Sequence, residues 1–214
     1  MKYADAMLRA LGFAGSHRKL TGTLQEANRF VATDGISMAF VRFDVDGEPP
    51  FPASTVHTGE YEISKRTFPD CGAITEGEWT DVGTMSRSGV AKLTGVSIGW
   101  LDGVPGAGMM LFAEGGALYA ELPSRCNNHR CPTCGAEPPS GVVVEIGTSQ
   151  GDGAVCALDP QIVLRHLSGV EGDDDFVVSR KVDAFVPAGE TPMKFTTTAE
   201  DHIIMPMKGT KVKS

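Results

Sequence analysis

Apolar positions recur along the chain with two periods. Ala4, Met7, Leu8 and Leu11 fall on one helical face with Gly12 and Gly15 just beyond, which predicts an N-terminal helix. The spacing then shortens, and "KLTGTLQEANRFVATDGISMAFVRF" reads as a meander of strands ended by the breaker-rich "DVDGEPPFPAST". A strand in "EYEIS" and a connector, "KRTFPDCGAITEGEW", follow. After Trp79 the order starts again. "SRSGVAKLTGVSI" predicts a short helix weakened by Gly89 and Gly95; "GMMLFAEG" and "ALYAEL" predict two strands joined by a glycine turn, and "GVVVEIG" resumes after a cysteine-rich insert at about 125–140. The clearest helix is "LDPQIVLRHLSGV". Asp159 is placed to cap it, Pro160 takes the first helical position, Gly169 follows the last turn, and Val163, Leu164 and Leu167 form its stripe. Three strands, in "DFVVSRKVDAFVPAG", "PMKFTTTAE" and "DHIIMPMK", precede a basic tail. A helix followed by antiparallel strands, more than once, predicts an α+β fold with helices on one face of an antiparallel sheet. The expected divisions are 1–78, 79–208 and the tail 209–214.

One stretch is unusual within this pattern. In "VATDGISMAFVRF" two apolar arms flank Asp34-Gly35, a strong hairpin signal that predicts a type I′ turn with positive φ at both residues. The second arm, with Ile36, Met38 and Phe40 against Ser37, Ala39 and Val41, is apolar on both faces. One face serves a core; the other is free to form part of a groove.

Composition narrows the classes. With 214 residues, 41% of them hydrophobic, the chain can bury a real core, and no apolar run is long enough to span a membrane. Asp5 and Arg9 interrupt the first apolar stretch, which lacks a small-residue cleavage site and reads as a helix and not a signal peptide. Five cysteines, three of them between 126 and 134, favour a reducing, cytoplasmic setting and a metal cluster over disulfides. A formal net charge of −8 speaks against a strongly basic surface, though not against positive charge confined to one face.

Three short segments carry a resemblance. "VATDGISMAF" resembles the strand-turn-strand written V-A-T-D-G-H-R-L-A in bacterial DNA sliding clamps. "KRTFPDCGAI" is similar to the R-F-P-D-Y segment between that family's second and third domains, and "DHIIMPMK" to its C-terminal Y-V-V-M-P-M-R strand. They occur in the family's order, and the "LDPQIVLRHLSGV" helix stands before the last strands, as in a clamp's final domain. The resemblance implies clamp-like repeats, with 1–78 a shortened domain and 79–208 a full one. In the family the three segments form an apolar groove for short Q-L-x-L-F peptides of polymerases, clamp loader and repair proteins. Carried over, this implies peptide contacts at Thr33, Gly35, Met38, Pro69, Ile203, Met205, Pro206 and Met207. Methionine suits such a groove because its flexible, polarizable chain adapts to different partners. The family's His-Arg after T-D-G is Ile36-Ser37 here, which removes polar edge contacts.

Clamp helices line a hole and meet duplex DNA loosely, without reading sequence. The resemblance places Arg9, Arg18, Lys19, Arg87, Lys92 and Arg165 facing DNA, with His17 and His166 beside them. Part of the expected ring wall is missing, so encirclement requires a homo-oligomer, a trimer or dimer joined through sheet edges. The implied function is a processivity factor, of a virus or mobile element, that tethers a polymerase or other replication protein to DNA. It would have no chemistry of its own. The alternatives are a clamp-derived adapter or decoy that binds clients or loader without encircling DNA, and an unrelated zinc-stapled interaction module.

"RCNNHRCPTCG" offers Cys126, His129, Cys131 and Cys134 as ligands of a zinc-knuckle-like insert. Zinc takes four such ligands tetrahedrally, and a site closed by four protein ligands is structural. His129 and Cys131 are closely spaced, which leaves Cys71 and Cys156 as alternative fourth ligands. Asp173–Asp175 reads as a solvated turn, and the lysines of "KGTKVKS" as solubilising charge. Nothing in the sequence brings Cys156 and His166 together with an oxyanion donor, so no enzyme is expected.

Overall fold

The computed structural model describes residues 1–15, 22–45, 50–58, 63–64, 68–100, 108–122, 141–170, 172–184, 186 and 188–207. The first half holds helix α1 (Tyr3–Leu11) and strands β1 (Gly22–Gln25), β2 (Arg29–Thr33), β3 (Ser37–Arg42), β4 (Val56–Thr58) and β5 (Ile63–Ser64). A one-turn helix, α2 (Gly72–Thr75), lies within the connector. The second half runs β6 (Trp79–Met85), α3 (Arg87–Trp100), β7 (Met109–Glu114), β8 (Ala117–Leu122) and β9 (Val142–Ser149). It continues through β10 (Gly153–Leu158), α4 (Pro160–Leu167), β11 (Phe176–Lys181), β12 (Met193–Thr196) and β13 (Glu200–Ile204). All strands join one 13-stranded antiparallel sheet, ordered β10-β7-β8-β9-β6-β11-β12-β13-β3-β2-β1-β4-β5.

The second half is one pattern written twice, strand-helix-three strands. The leading strands reach across the units: β6 lies between β9 of its own unit and β11 of the second, and β10 pairs with β7 of the first. Neither β6 nor β10 is legible in the hydrophobic pattern. β6 is half polar, with Thr80 and Asp81 exposed, and the buried run Val155–Leu158 of β10 has no alternation. Helices α3 and α4 fill the space the two units enclose, with Val90, Leu93, Val163 and Leu167 packed among Met85, Leu111, Ile146, Phe176 and Phe195. Beyond β13, the Met207 N–H donates to the Ala157 carbonyl at 2.9 Å, which brings the sheet back to β10.

The two halves meet where β13 pairs with β3, His202 opposite Ala39 and Ile203 opposite Met38. Helix α1 covers one face of this region, on Phe30, Ala32, Ala39, Val41 and Phe43. Its buried stripe is Ala6, Met7 and Ala10; of the predicted face Met7 is buried and Leu11 partly so, whereas Ala4 is exposed and Leu8 is 49% exposed. The physical reason is the anchoring of Tyr3 edge-on against Phe30 and Phe43, both at 5.0 Å, which turns the small alanines onto the sheet. The opposite face carries Val31, Met38, Phe40 and Ile203, against which Phe68, Cys71, Ile74 and Trp79 pack. Both faces of the hairpin are therefore buried, as its two-sided apolar pattern requires.

The turn is not the predicted type I′. Among the described non-glycine residues Asp34 does not have positive φ; Gly35 does, at 87°, and the loop is Gly35-Ile36 with glycine in first position. Asp34 instead closes the turn with its side chain, Oδ1 accepting from the N–H groups of Ile36 (2.9 Å) and Ser37 (2.7 Å).

Two glycines of α3 have opposite meanings. A Cβ on Gly89 would lie 2.1 Å from the Ile146 carbonyl oxygen of β9, whereas one on Gly95 meets nothing within 4 Å. Gly95→Ala is expected to stabilise the fold by up to about 1 kcal/mol through helix propensity. Gly89→Ala is expected to destabilise it by more than about 2 kcal/mol, because backbone must move. Urea denaturation of the two variants checks both signs.

Candidate functional site

The connector, the hairpin tip and the end of β13 enclose a cavity of about 230 Å³ on the sheet face away from α1. Its floor is Thr33, Met38 and Ile203, each nearly inaccessible to solvent. Pro69, Asp70, Cys71 and Ile74 form one wall; Gly35, Ile36 and Ser37 form the other, with Met205 at the end. Local bonds fix the connector wall. Lys181 Nζ donates to the Ile74 carbonyl at 3.1 Å, the Trp79 indole donates to the Thr75 carbonyl at 3.4 Å, and Asp70 accepts from the Gly72 N–H at 2.9 Å. Lys194 stands over the Trp79 ring at 4.6 Å, one strand from Ile203.

Thr33, Gly35, Met38, Pro69, Ile203 and Met205 are thus brought together. Pro206 and Met207 are half-buried and stand outside the lining, Met207 being drawn toward β10. Sequence reasoning missed Ile36, Ser37, Asp70, Cys71 and Ile74 as lining. The signal was available for two of them: an apolar residue three positions after a cysteine in a short helical turn points both to the same side. Ile36 is 43% exposed at the rim, an apolar residue where the resembling segments carry histidine.

Behind the groove, between α1 and α4, lies a buried polar chain. Ser37 Oγ is 2.7 Å from His166 Nε2, His166 Nδ1 is 3.0 Å from His202 Nδ1, and His202 Nε2 is 2.9 Å from the Glu200 carboxylate. Arg9 closes the chain, its Nε donating to Glu200 Oε1 at 3.1 Å and its Nη2 to the His166 carbonyl at 3.3 Å. Phe13 stacks on His166 at 4.7 Å. With a carboxylate beside it, His202 Nε2 carries a proton. In the neutral pair, His202 Nδ1 then accepts from His166 Nδ1–H, and His166 Nε2 accepts from the Ser37 hydroxyl. Burial pushes both imidazoles below their usual pKa, with His202 lowering His166 further and Glu200 partly offsetting the effect on His202. Burial alone would raise Glu200 and Asp34, but hydrogen bonds from His202 and Arg9, and from Arg165 and the turn N–H groups, hold both below the usual carboxyl range.

The helix cations are mostly engaged. Arg9 is paired with buried Glu200, and Arg165 with Asp34. Arg87 donates to the carbonyls of Asp174 (2.8 Å) and Val170 (2.9 Å) and lies over Phe176. Asp175 accepts from the Arg87 N–H, so part of the acidic run serves the start of α3. Lys92 is exposed and makes no ion pair among the described residues, while His166 is fully buried. His17, Arg18 and Lys19 lie outside the described residues, as do Cys126, His129, Cys131 and Cys134 of the expected zinc insert. Among the described residues no group of three histidine, cysteine or acidic side chains is placed to hold a metal. Cys156 is buried in the main core, where burial pushes its thiol up to about 12. Cys71 Sγ donates to the Pro69 carbonyl at 3.3 Å, its thiol pKa raised by burial and by Asp70 and Glu26. No described helix is long and apolar enough to cross a membrane.

His57, His166 and His202 are all buried with lowered pKa, while an unfolded histidine titrates near about 6.5. Below that pH the unfolded chain binds more protons than the folded one, so stability is complete above it and falls as pH drops. The slope is at most about 1.4 kcal/mol per pH unit for each histidine. Urea midpoints at pH 7.5 and 5.5 check this, the lower one being expected at 5.5.

No protein-family model matches the chain, and no curated protein matches it. Solved structures do. The DNA polymerase III subunit beta of Pseudomonas aeruginosa superposes with a TM-score of 0.68 at 14% identity, over 95% of this chain and 63% of that one. The sliding clamp of Bacillus subtilis gives 0.65 at 14%, over 95% and 61%. The Helicobacter pylori beta clamp, solved with a DNA ligase peptide bound, gives 0.62 at 13%, over 95% and 62%. The chain therefore has the fold of bacterial DNA sliding clamps, and spans less than two thirds of the length of the clamps it matches.

Proposed function

We propose that this protein is a sliding-clamp-like processivity factor that captures short apolar peptides of its partners in the groove between hairpin, connector and β13. The carrying observation is the cavity of about 230 Å³ in which Thr33, Gly35, Met38, Pro69, Ile203 and Met205 converge. The lining is drawn from all three of the segments that resemble clamp segments. This reading is supported by the Helicobacter pylori beta clamp, which was solved with a DNA ligase peptide bound. Partners would be a polymerase and other replication proteins carrying Q-L-x-L-F-type motifs. The groove offers mainly apolar contact and shape, and the Cys71 thiol in its wall is kept protonated by burial and by Asp70 and Glu26, so the protein would tether without catalysing. A ring around duplex DNA would require a homo-oligomer. Zinc at Cys126, His129, Cys131 and Cys134 is proposed from their sequence spacing alone, as a structural staple.

One observation favours the adapter reading, in which the groove is kept without a DNA-lined ring. Arg9, Arg87 and Arg165 are held by protein groups, so of the described candidate cations Lys92 alone stands clear. Neutralising few phosphates gives weak DNA binding with only a shallow dependence on salt.

The test is fluorescence anisotropy of a labelled Q-L-x-L-F peptide. Saturable micromolar binding is expected, weakened at least about tenfold by Met205→Lys, which drives a charge into an apolar site. Absence of binding at high protein concentration overturns the groove reading. Retention on circular DNA with release on linearisation, beside native mass, separates ring from adapter.

A further inference from the structure

The hairpin tip forms one entire wall of the groove, yet it projects beyond most of the sheet pairing. The β2–β3 ladder ends at Thr33 and Met38, and β13 reaches only Ser37, with one further bond from the Met205 N–H to the Ile36 carbonyl. What holds the tip from behind is α4. Arg165 Nη2 donates to Asp34 Oδ2 and, at 3.1 Å, to Ser37 Oγ, while His166 Nε2 engages the same hydroxyl at 2.7 Å. Neither residue lines the groove. Consecutive helix positions point about 100° apart. The half-exposed Arg165 accordingly grips the tip from its solvent side and the buried His166 from within.

We infer that Arg165 and His166 are positioning residues of the groove: they set the tip against Pro69 and Asp70 without touching the occupant. Asp34 is what makes this grip effective. Its Oδ1 binds the N–H groups that shape the turn, and its Oδ2 binds Arg165, so a single carboxylate ties the turn's conformation to α4. The Asp34 side chain is 9% exposed, so on that side the pair is shielded from solvent more than an ordinary surface ion pair. The consequence for ligands rests on the peptide-groove reading; the ordering of the tip does not.

The experiment compares Arg165→Ala with Arg42→Ala. Arg42 makes a closely matched ion pair with Asp201 at the other end of β3, with side chains 34% and 14% exposed against 39% and 9% for Arg165 and Asp34. Arg165→Ala is expected to weaken Q-L-x-L-F peptide binding about five- to tenfold. Amide hydrogen exchange at 34–38 should accelerate in the same variant. Arg42→Ala should lower stability comparably and leave both readouts unchanged, and Arg165→Lys should restore part of the loss. In an Asp34→Asn background, Arg165→Ala should add little. Unchanged exchange and affinity in Arg165→Ala, or equal effects from Arg42→Ala, overturn the inference. If the wild-type chain binds no peptide the groove reading fails, and exchange at the tip alone then decides whether α4 positions it.

Discussion

The pairing of β13 with β3 is the constraint from which the site follows. A strand presents alternate side chains to opposite faces, so fixing Ile203 opposite Met38 also fixes His202 opposite Ala39. The first pair makes the groove floor; the second delivers an imidazole to the space between α1 and α4. A slip of one residue would put the imidazole on the apolar floor and the isoleucine among polar groups. Register here is therefore enforced twice, by hydrophobic burial on one face and by hydrogen bonding on the other.

The polar chain behind the groove is costly to bury and tolerable only because it is connected. Glu200 is fully buried but faces Arg9, whose side chain is 22% exposed. The histidines are neutral and satisfy each other, and Phe13 shields His166. Replacing any member by an apolar residue leaves its neighbour unpaired, so the chain behaves as a unit. It joins α1 of the first half to α4 of the second, where an apolar contact alone would allow sliding.

Much of this was legible in the sequence where the signal is local. The Asp159-Pro160 start of α4 appears as expected, Asp159 accepting from the Gln161 N–H at 2.8 Å. The two-sided apolar hairpin and the three groove-forming segments were equally readable. What escaped is what depends on distant partners. The leading strands β6 and β10 owe their conformation to pairing across the unit boundary, and their own residues alternate poorly. His166 looked like a surface base because its partners His202 and Ser37 lie far away in sequence. The turn type was misjudged because the Asp34 side chain competes with the backbone for the N–H groups of Ile36 and Ser37.

The pairing of β6 and β10 across the unit boundary makes the two units of the second half mechanically interdependent. Each unit's sheet contains a strand whose chain connection belongs to the other, so neither can complete its core before both are assembled. The link between them, Gln150–Asp152, is fully on the surface. Cutting the chain there would break a covalent bond without freeing either fragment, because each would still be laced into the other's sheet. Pulling them apart would mean unzipping the β6–β11 and β10–β7 ladders together. Continuity of the fold in this region resides in the interlaced strands more than in the backbone that joins them.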